Sequence, residues 1–227
     1  MCTDCSPAQD VRDPWLPDRL LTTERDLLMP LLRRTPEEAY ALRTACPGWT
    51  TRQVLAHCGA ALVRIVEDRL EEGVFLPEAN AADVAEREDW PLGRVLDELE
   101  HGLTQAGPVI AARDDDRLDA VALGEWVHAG DVREALGEPG AYCGASLDLA
   151  LPLLSVTSRN RSTPRLMGLL ADRDDHPVAL GNPIPGRAPA TFHGDSATLI
   201  RIYSGRPLVR TRYHLTGATE QELLLYR

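Results

Sequence analysis

The chain reads as an α+β protein, a four-helix bundle followed by a small mixed α/β C-terminal unit. Two observations carry that reading. Between Leu16 and Leu136, four segments repeat apolar residues at helical spacing. After ADRDDHP (171–177) the texture changes to short apolar stretches separated by turn clusters. The expected organisation is a tail without stable structure at 1–14, a helical bundle at 15–172 and the C-terminal unit at 173–227.

The first helix runs from Leu16 to Arg34, where Leu20, Leu21, Leu27, Leu28, Leu31 and Leu32 recur at helical spacing and Pro30 is expected to kink it. A loop, TPEEAYALRTACPGW, leads to Thr50 or Thr51, either of which caps a second helix through TRQVLAHCGAALVRIVEDRLEEG, ending near Gly73. Its apolar stripe is Val54, Leu55, Cys58, Ala61, Leu62, Ile65 and Val66. Residues 74–90 are acidic and turn-rich, a long connection with room for a short helical piece. A third helix follows Pro91, with Leu92, Val95, Leu96, Leu99 and Leu103 on one face and Gly107-Pro108 expected to bend or end it. The fourth runs from about Leu118 to Leu136, and Gly137 and Pro139 supply its stop. Ser146 to about Leu170 reads as further helix, broken near SRNRSTP. The C-terminal unit then holds short apolar stretches at Val178–Leu180, Ala190–Phe192, Leu208–Leu215 and Glu222–Tyr226. Among them lies one helical piece, Ser196–Tyr203.

Composition narrows the function. The chain is 44% hydrophobic and 26% charged, with a formal net charge of −11, and every cationic side chain is an arginine. Such acidity argues against a nucleic-acid or anionic-membrane partner, since both need a basic patch. No apolar run approaches the ~20 residues of a membrane span, and the N-terminus has no secretory pattern, so a cytoplasmic location is expected. The five cysteines do not form a disulfide framework. Cys2-x-x-Cys5 lacks two further ligands nearby, so it reads as ordinary thiols in a tail.

Chemistry concentrates in the bundle. On the fourth helix Val121, Glu125, His128 and Val132 are spaced four, three and four apart and form one line. Glu125 and His128 thus interrupt an apolar seam, and a buried carboxylate must be paired, metal-bound or protonated. On the second helix His57 faces inward or borders the buried face. Two imidazoles and a carboxylate are what a divalent metal such as zinc takes in a catalytic site. The alternative is a pair of core histidines bonded to other groups, with Glu125 at a solvated cavity. Asp131, three after His128, is the rival carboxylate. It reads as a group that orients a ligand histidine from behind or pairs with an arginine. Trp49 reads as packing at the start of the second helix, Trp126 as packing on the bundle's flank, and Cys58 as a small buried hydrophobe.

The block CPGWTTRQVLAH (46–57) resembles the Cys-Pro-Gly-Trp-Thr…His signature of the mycothiol-dependent maleylpyruvate isomerase family. WVHAGDVREALG (126–137) is similar to that family's His-x-x-Asp-x-x-x-x-Leu-Gly segment, and FHGDSATLIRIYSGRP (192–207) to its C-terminal Gly-Asp turn, helix and Gly-Arg turn. The resemblance implies a DinB-like four-helix bundle with a small α/β domain and a divalent metal, usually zinc, on His57, His128 and a glutamate. It also implies mycothiol as cosubstrate for isomerisation or S-transfer on a small electrophile. The family often places its glutamate four residues before the histidine. Here that position is Gly124, and Glu125 stands one residue later. Arg206 matches the Gly-Arg turn, where it would hold a carboxylate of substrate or thiol. A simply exposed turn arginine is the alternative, and Arg210 and Arg212 are its rivals. His193 and His214 read as surface or strand residues. A metal-free small-molecule-binding protein, or a specialised biosynthetic enzyme on the same fold, remains the competing function.

Overall fold

The computed structural model describes residues 12–226; the Cys2-x-x-Cys5 pair lies outside them. Four helices form the bundle: α1 (Leu16–Arg34), α2 (Thr51–Val66), α4 (Leu92–Ala111) and α5 (Asp119–Ala135). Helix α4 packs on α1 and α2, and α5 closes the bundle against the same two. A short α3 (Pro77–Glu86) fills the 74–90 connection and lies on α2. Helix α6 (Leu147–Asn160) covers α5 and α1 and reaches β2 (His176–Leu180). No helix among the described residues is long and apolar enough to cross a membrane.

The starts of the helices follow from local chemistry. Thr50 and Gln53 form a reciprocal capping box at α2, the Thr50 hydroxyl accepting from the Gln53 N–H while the Gln53 side chain accepts from the Thr50 N–H. The end of α2 corrects the expectation of a helix to Gly73. It stops at Val66, and Asp68 takes a positive φ of 53°, because the following DRLEEG carries too little apolar surface to bury another turn. Helix α4 is not ended by Gly107-Pro108 but runs on to Ala111. A Cβ at Gly107 would lie 2.6 Å from the Asp18 Cα, so the glycine lets α1 and α4 approach closely there. On α1, Leu27 is exposed and Glu24 is buried instead, because Glu24 has Arg133 and Ser146 as partners inside the bundle.

The sheet runs β2–β1–β3–β4, with β1 (Leu166–Leu170), β3 (Ala190–Gly194) and β4 (Tyr213–Thr216). Strand β1 pairs antiparallel with β2 and parallel with β3, and β3 pairs antiparallel with β4. Leu166–Leu170 was expected to continue the preceding helix. It is a strand whose alternate residues are buried, and alternation over so short a run cannot be separated from helix by apolar content alone. At the C-terminus, Glu220–Leu223 is a short helix, α8, capped by Thr219 and Glu222, which overlaps the first two residues of the Glu222–Tyr226 stretch. Helix α7 (Ser196–Ser204) links β3 to β4. The Asp195 carboxylate caps its start and Gly205, at φ 69°, ends it.

Candidate functional site

Helix α5 is buried on several sides, with Ala122, Leu123, Glu125, Trp126, Val127, Ala129, Gly130, Asp131 and Val132 all inside. That is why its polar residues face different neighbours. His128 looks toward α2, where its ring centroid lies 5.1 Å from that of His57 in an edge-on arrangement. Trp49 packs beside both at a tilt, 4.9 Å from His57 and 6.4 Å from His128. The Nδ1 of His57 is buried with no hydrogen-bond partner. Burial first, and then the nearby His128 and Arg206 charges, push the His57 pKa down to about 3, so the imidazole is neutral and its lone pair is free.

Behind His128 stands a charged clamp. Its Nδ1 lies 3.1 Å from Asp131 Oδ2, and Asp131 is fully buried. Arg206 donates to the same carboxylate through Nε (2.9 Å to Oδ1) and Nη2 (2.6 Å to Oδ2), while Nη1 donates to the Ser204 carbonyl at 2.8 Å. The Tyr142 hydroxyl donates to Asp131 Oδ1 at 2.7 Å. The end of α7 sets this geometry, since the Arg206 N–H closes back on the Arg201 carbonyl at 2.9 Å across Gly205. Burial alone would raise Asp131, but the hydrogen bonds of His128 and Arg206 hold its pKa at about 2. For His128, burial pulls the pKa down, and the contacts with Asp131 and Cys46 outweigh it and carry it up to about 9. The guanidinium of Arg206 thus spends its donors on Asp131 and the Ser204 carbonyl, with Nη2 also 3.2 Å from His128 Nδ1, and Arg210 and Arg212 lie exposed.

Glu125 goes elsewhere. Its side chain neighbours Cys58, and it lines a small internal cavity with Glu24, Leu28, Leu55, Cys58 and Leu99. Its Oε2 is buried without a hydrogen-bond partner. Burial dominates and raises its pKa to about 7, against some easing from His128 and Cys58. The neighbouring position that the resemblance points to, Gly124, faces the C-terminus: a Cβ there would lie 3.5 Å from the Tyr226 hydroxyl. Among the described residues, the His, Cys, Asp and Glu group whose ligand atoms all lie within 4.8 Å of one another is Cys46, His128 and Asp131. The structure therefore brings His57 and His128 together, sets Asp131 and Arg206 behind His128, and turns Glu125 toward the bundle interior.

The pKa of Glu125 sets a pH-dependent expectation for the metal-free protein. Its folded value of about 7 exceeds the ordinary 4.5, so the native state holds the extra proton in that window and loses stability as pH rises from 4.5 through 7. Glu125→Gln is expected to match wild type at pH 4 and to exceed it at pH 8 by up to roughly 3 kcal/mol. Urea denaturation at the two pH values measures this, and equal midpoints at pH 8 would show that the carboxylate is already relieved there.

Sequence reasoning missed three contributors. Cys46 and Trp49 lie inside the CPGWT block but were not read as facing the histidines. Tyr142 had no signal at all, because only the turn at Gly140 brings its hydroxyl back to Asp131. Trp126 is fully buried, its indole N–H donating to Ser146 at 2.8 Å.

No protein-family model and no curated protein matches the chain. Among solved structures it is similar to a crystal structure of mycothiol-dependent maleylpyruvate isomerase, with a TM-score of 0.55, 15% identity, and coverage of 91% of this chain and 93% of that one. A histidine-to-alanine mutant of that enzyme matches with a TM-score of 0.52 and 14% identity over the same shares. At these identities the likeness establishes the fold, a helical bundle with a C-terminal α/β unit.

Proposed function

We propose that the protein is a metal-dependent enzyme that uses a low-molecular-weight thiol, mycothiol in the first instance, to isomerise or S-transfer to a small electrophilic metabolite. The observation that carries this is the pair of facing imidazoles, His57 and His128, on two different helices. The donor set fits a divalent metal such as zinc. His57 offers a buried, unpartnered nitrogen, and with His128 Nδ1 turned to Asp131 and Arg206, the other ring nitrogen, Nε2, is the one that would take a metal. When bound, such a metal makes a thiolate of the thiol at neutral pH.

The residues divide the work. Asp131, clamped by Arg206 and Tyr142, holds the ring orientation of His128 through its Nδ1. Arg206 is a positioning residue in this reading, acting on Asp131 and on the His128 ring rather than on substrate. Trp49 shields the histidine pair from bulk water. A thiolate adds to the activated carbon of a cis double bond, the former double bond rotates, and expulsion of the thiolate restores the alkene in the trans form. With a leaving group or an epoxide in place of the alkene, the same attack ends as a thioether.

Protein purified without a polyhistidine tag is expected to carry close to one equivalent of metal. His57→Ala is expected to lose that metal while remaining folded, because His57 makes no hydrogen bond whose loss would cost stability. Turnover of a cis-unsaturated dicarboxylate is expected to require added thiol. Metal-free protein that turns over without thiol would overturn the proposal. A second reading, a metal-free small-molecule-binding protein, is favoured by one observation: the Glu125 carboxylate lies beside Cys58. A ligand-dependent rise in melting temperature in metal-free protein would select it.

A further inference from the structure

We propose that Cys46 supplies a thiolate ligand to the metal, so that this chain's centre is built from Cys46, His57 and His128. The proposal rests on the metal reading above and names the third donor.

Three side chains compete for that role. Asp131 is the poorest, because its oxygens already accept from Arg206, Tyr142 and His128, and the Arg206 guanidinium would repel a second cation there. Glu125 keeps its carboxylate beside Cys58, on the wall of the internal cavity. The Arg206 donors go to Asp131, the Ser204 carbonyl and His128, and none is spent on the Cys46 sulfur. The Cys46 Sγ lies within 4.8 Å of a His128 ring nitrogen and of an Asp131 oxygen, and the thiol is partly exposed.

The turn that carries Cys46 is held in place independently of any metal. The Trp49 N–H donates to the Cys46 carbonyl at 3.3 Å, and the Thr44 N–H donates to the Trp49 carbonyl at 3.1 Å. The Thr44 hydroxyl bonds both of these carbonyls. Gly48, at φ 85°, makes the turn possible with nothing within 4 Å of where a Cβ would stand. Cys46 is thereby presented one turn before α2, the helix that carries His57. The second, independent observation is the buried His57 Nδ1 without a partner, 7% of the residue being exposed. That ring packs 5.1 Å from His128, and no hydrogen bond competes with a metal for its Nδ1. Thiolate and imidazole donors together suit zinc, and one protein thiolate with two imidazoles leaves a fourth position open for the thiol cosubstrate. On binding, the sulfur–metal bond forms, the S–H bond breaks and the proton leaves to solvent.

Cobalt(II) titration of the full chain tests this, with Cys2→Ser and Cys5→Ser in every sample so that the N-terminal thiols cannot contribute. The expected result is a near-ultraviolet thiolate-to-cobalt charge-transfer band together with visible ligand-field bands of tetrahedral intensity. Cys46→Ser is expected to abolish the charge-transfer band and to weaken cobalt and zinc binding by at least about tenfold, the loss that even an outer partner's removal causes. Glu125→Gln and Cys58→Ser are expected to keep both the band and the affinity. Circular dichroism confirms that each variant is folded. Ligand-field bands without the charge-transfer band, and unchanged affinity in Cys46→Ser, would overturn the sulfur ligand and leave the metal reading standing. No cobalt bound at all would overturn both.

Discussion

Arg206→Ala is expected to destabilise the protein by about 3–5 kcal/mol, the cost of leaving one half of a buried ion pair behind. Asp131 is 0% exposed and the Arg206 side chain 9%, so water cannot replace the guanidinium that now meets both carboxylate oxygens. The Tyr142 hydroxyl and His128 would remain on Asp131, but the carboxylate would have lost its strongest donors. Urea denaturation at pH 7 provides the measurement. Arg206→Ala combined with Asp131→Ala is expected to cost clearly less than the sum of the two single changes, because the pair is removed together. Arg206→Lys is expected to recover only part of the loss, since an ammonium cannot make the two parallel bonds. A loss below about 1 kcal/mol in the single variant, the range of an exposed ion pair, would show that the pair is solvated in solution. The prediction concerns function as well. The same pair holds the His128 ring in place, so metal affinity is expected to fall with stability.

Gly130→Ala is the second large effect, and its sign depends on two opposing terms. In a helix interior alanine is favoured over glycine by about 1 kcal/mol. Against this, a Cβ at Gly130 would come within 2.6 Å of Cε1 of Tyr142 and closer still to Cδ1, with the Ala141 carbonyl at 3.1 Å. Tyr142 is 1% exposed and its ring also carries Arg201, 4.5 Å above it. It has no room to retreat, and overpacking of this kind costs typically about 1–3 kcal/mol or more. The net expectation is a loss of up to about 2 kcal/mol, read as a lower melting temperature. Displacing Tyr142 also withdraws a donor from Asp131, so the variant is expected to bind metal more weakly. Gly124→Ala is the matched control on the same helix. Its Cβ would meet only the Tyr226 hydroxyl, at an ordinary 3.5 Å, so it is expected to be neutral or slightly stabilising. If Gly130→Ala proved as stable as Gly124→Ala, the Tyr142 packing would be wrong.

Much of the bundle was legible because helical periodicity and capping are local. Leu16–Arg34 has the bounds its leucines predicted, the Thr50–Gln53 pair marks the start of α2, and α5 lies within the expected 118–136. His57 and His128 were readable as inward-facing polar residues for the same reason, since each stands among apolar neighbours at helical spacing. The failures also have local causes. Leu166–Leu170 is five residues long, too short for its period to declare a strand. Leu27 fits the apolar stripe of α1 but is exposed, and Glu24 takes the interior because Arg133, more than a hundred residues away, is there to meet it.

The sequence alone determined which residues lie on which helix and that two imidazoles and one carboxylate are too polar for the buried faces they occupy. Backbone geometry over a few residues is enough for that. Only the tertiary structure decided the pairing: Arg206 with Asp131 across 75 positions, Tyr142 beneath the same carboxylate, Cys46 beside His128, and Glu125 turned toward Cys58. Spacing along one helix states the direction of a side chain, but a buried charge goes where a partner from another element can satisfy it. The identity of that partner is a property of packing, not of any single stretch of chain.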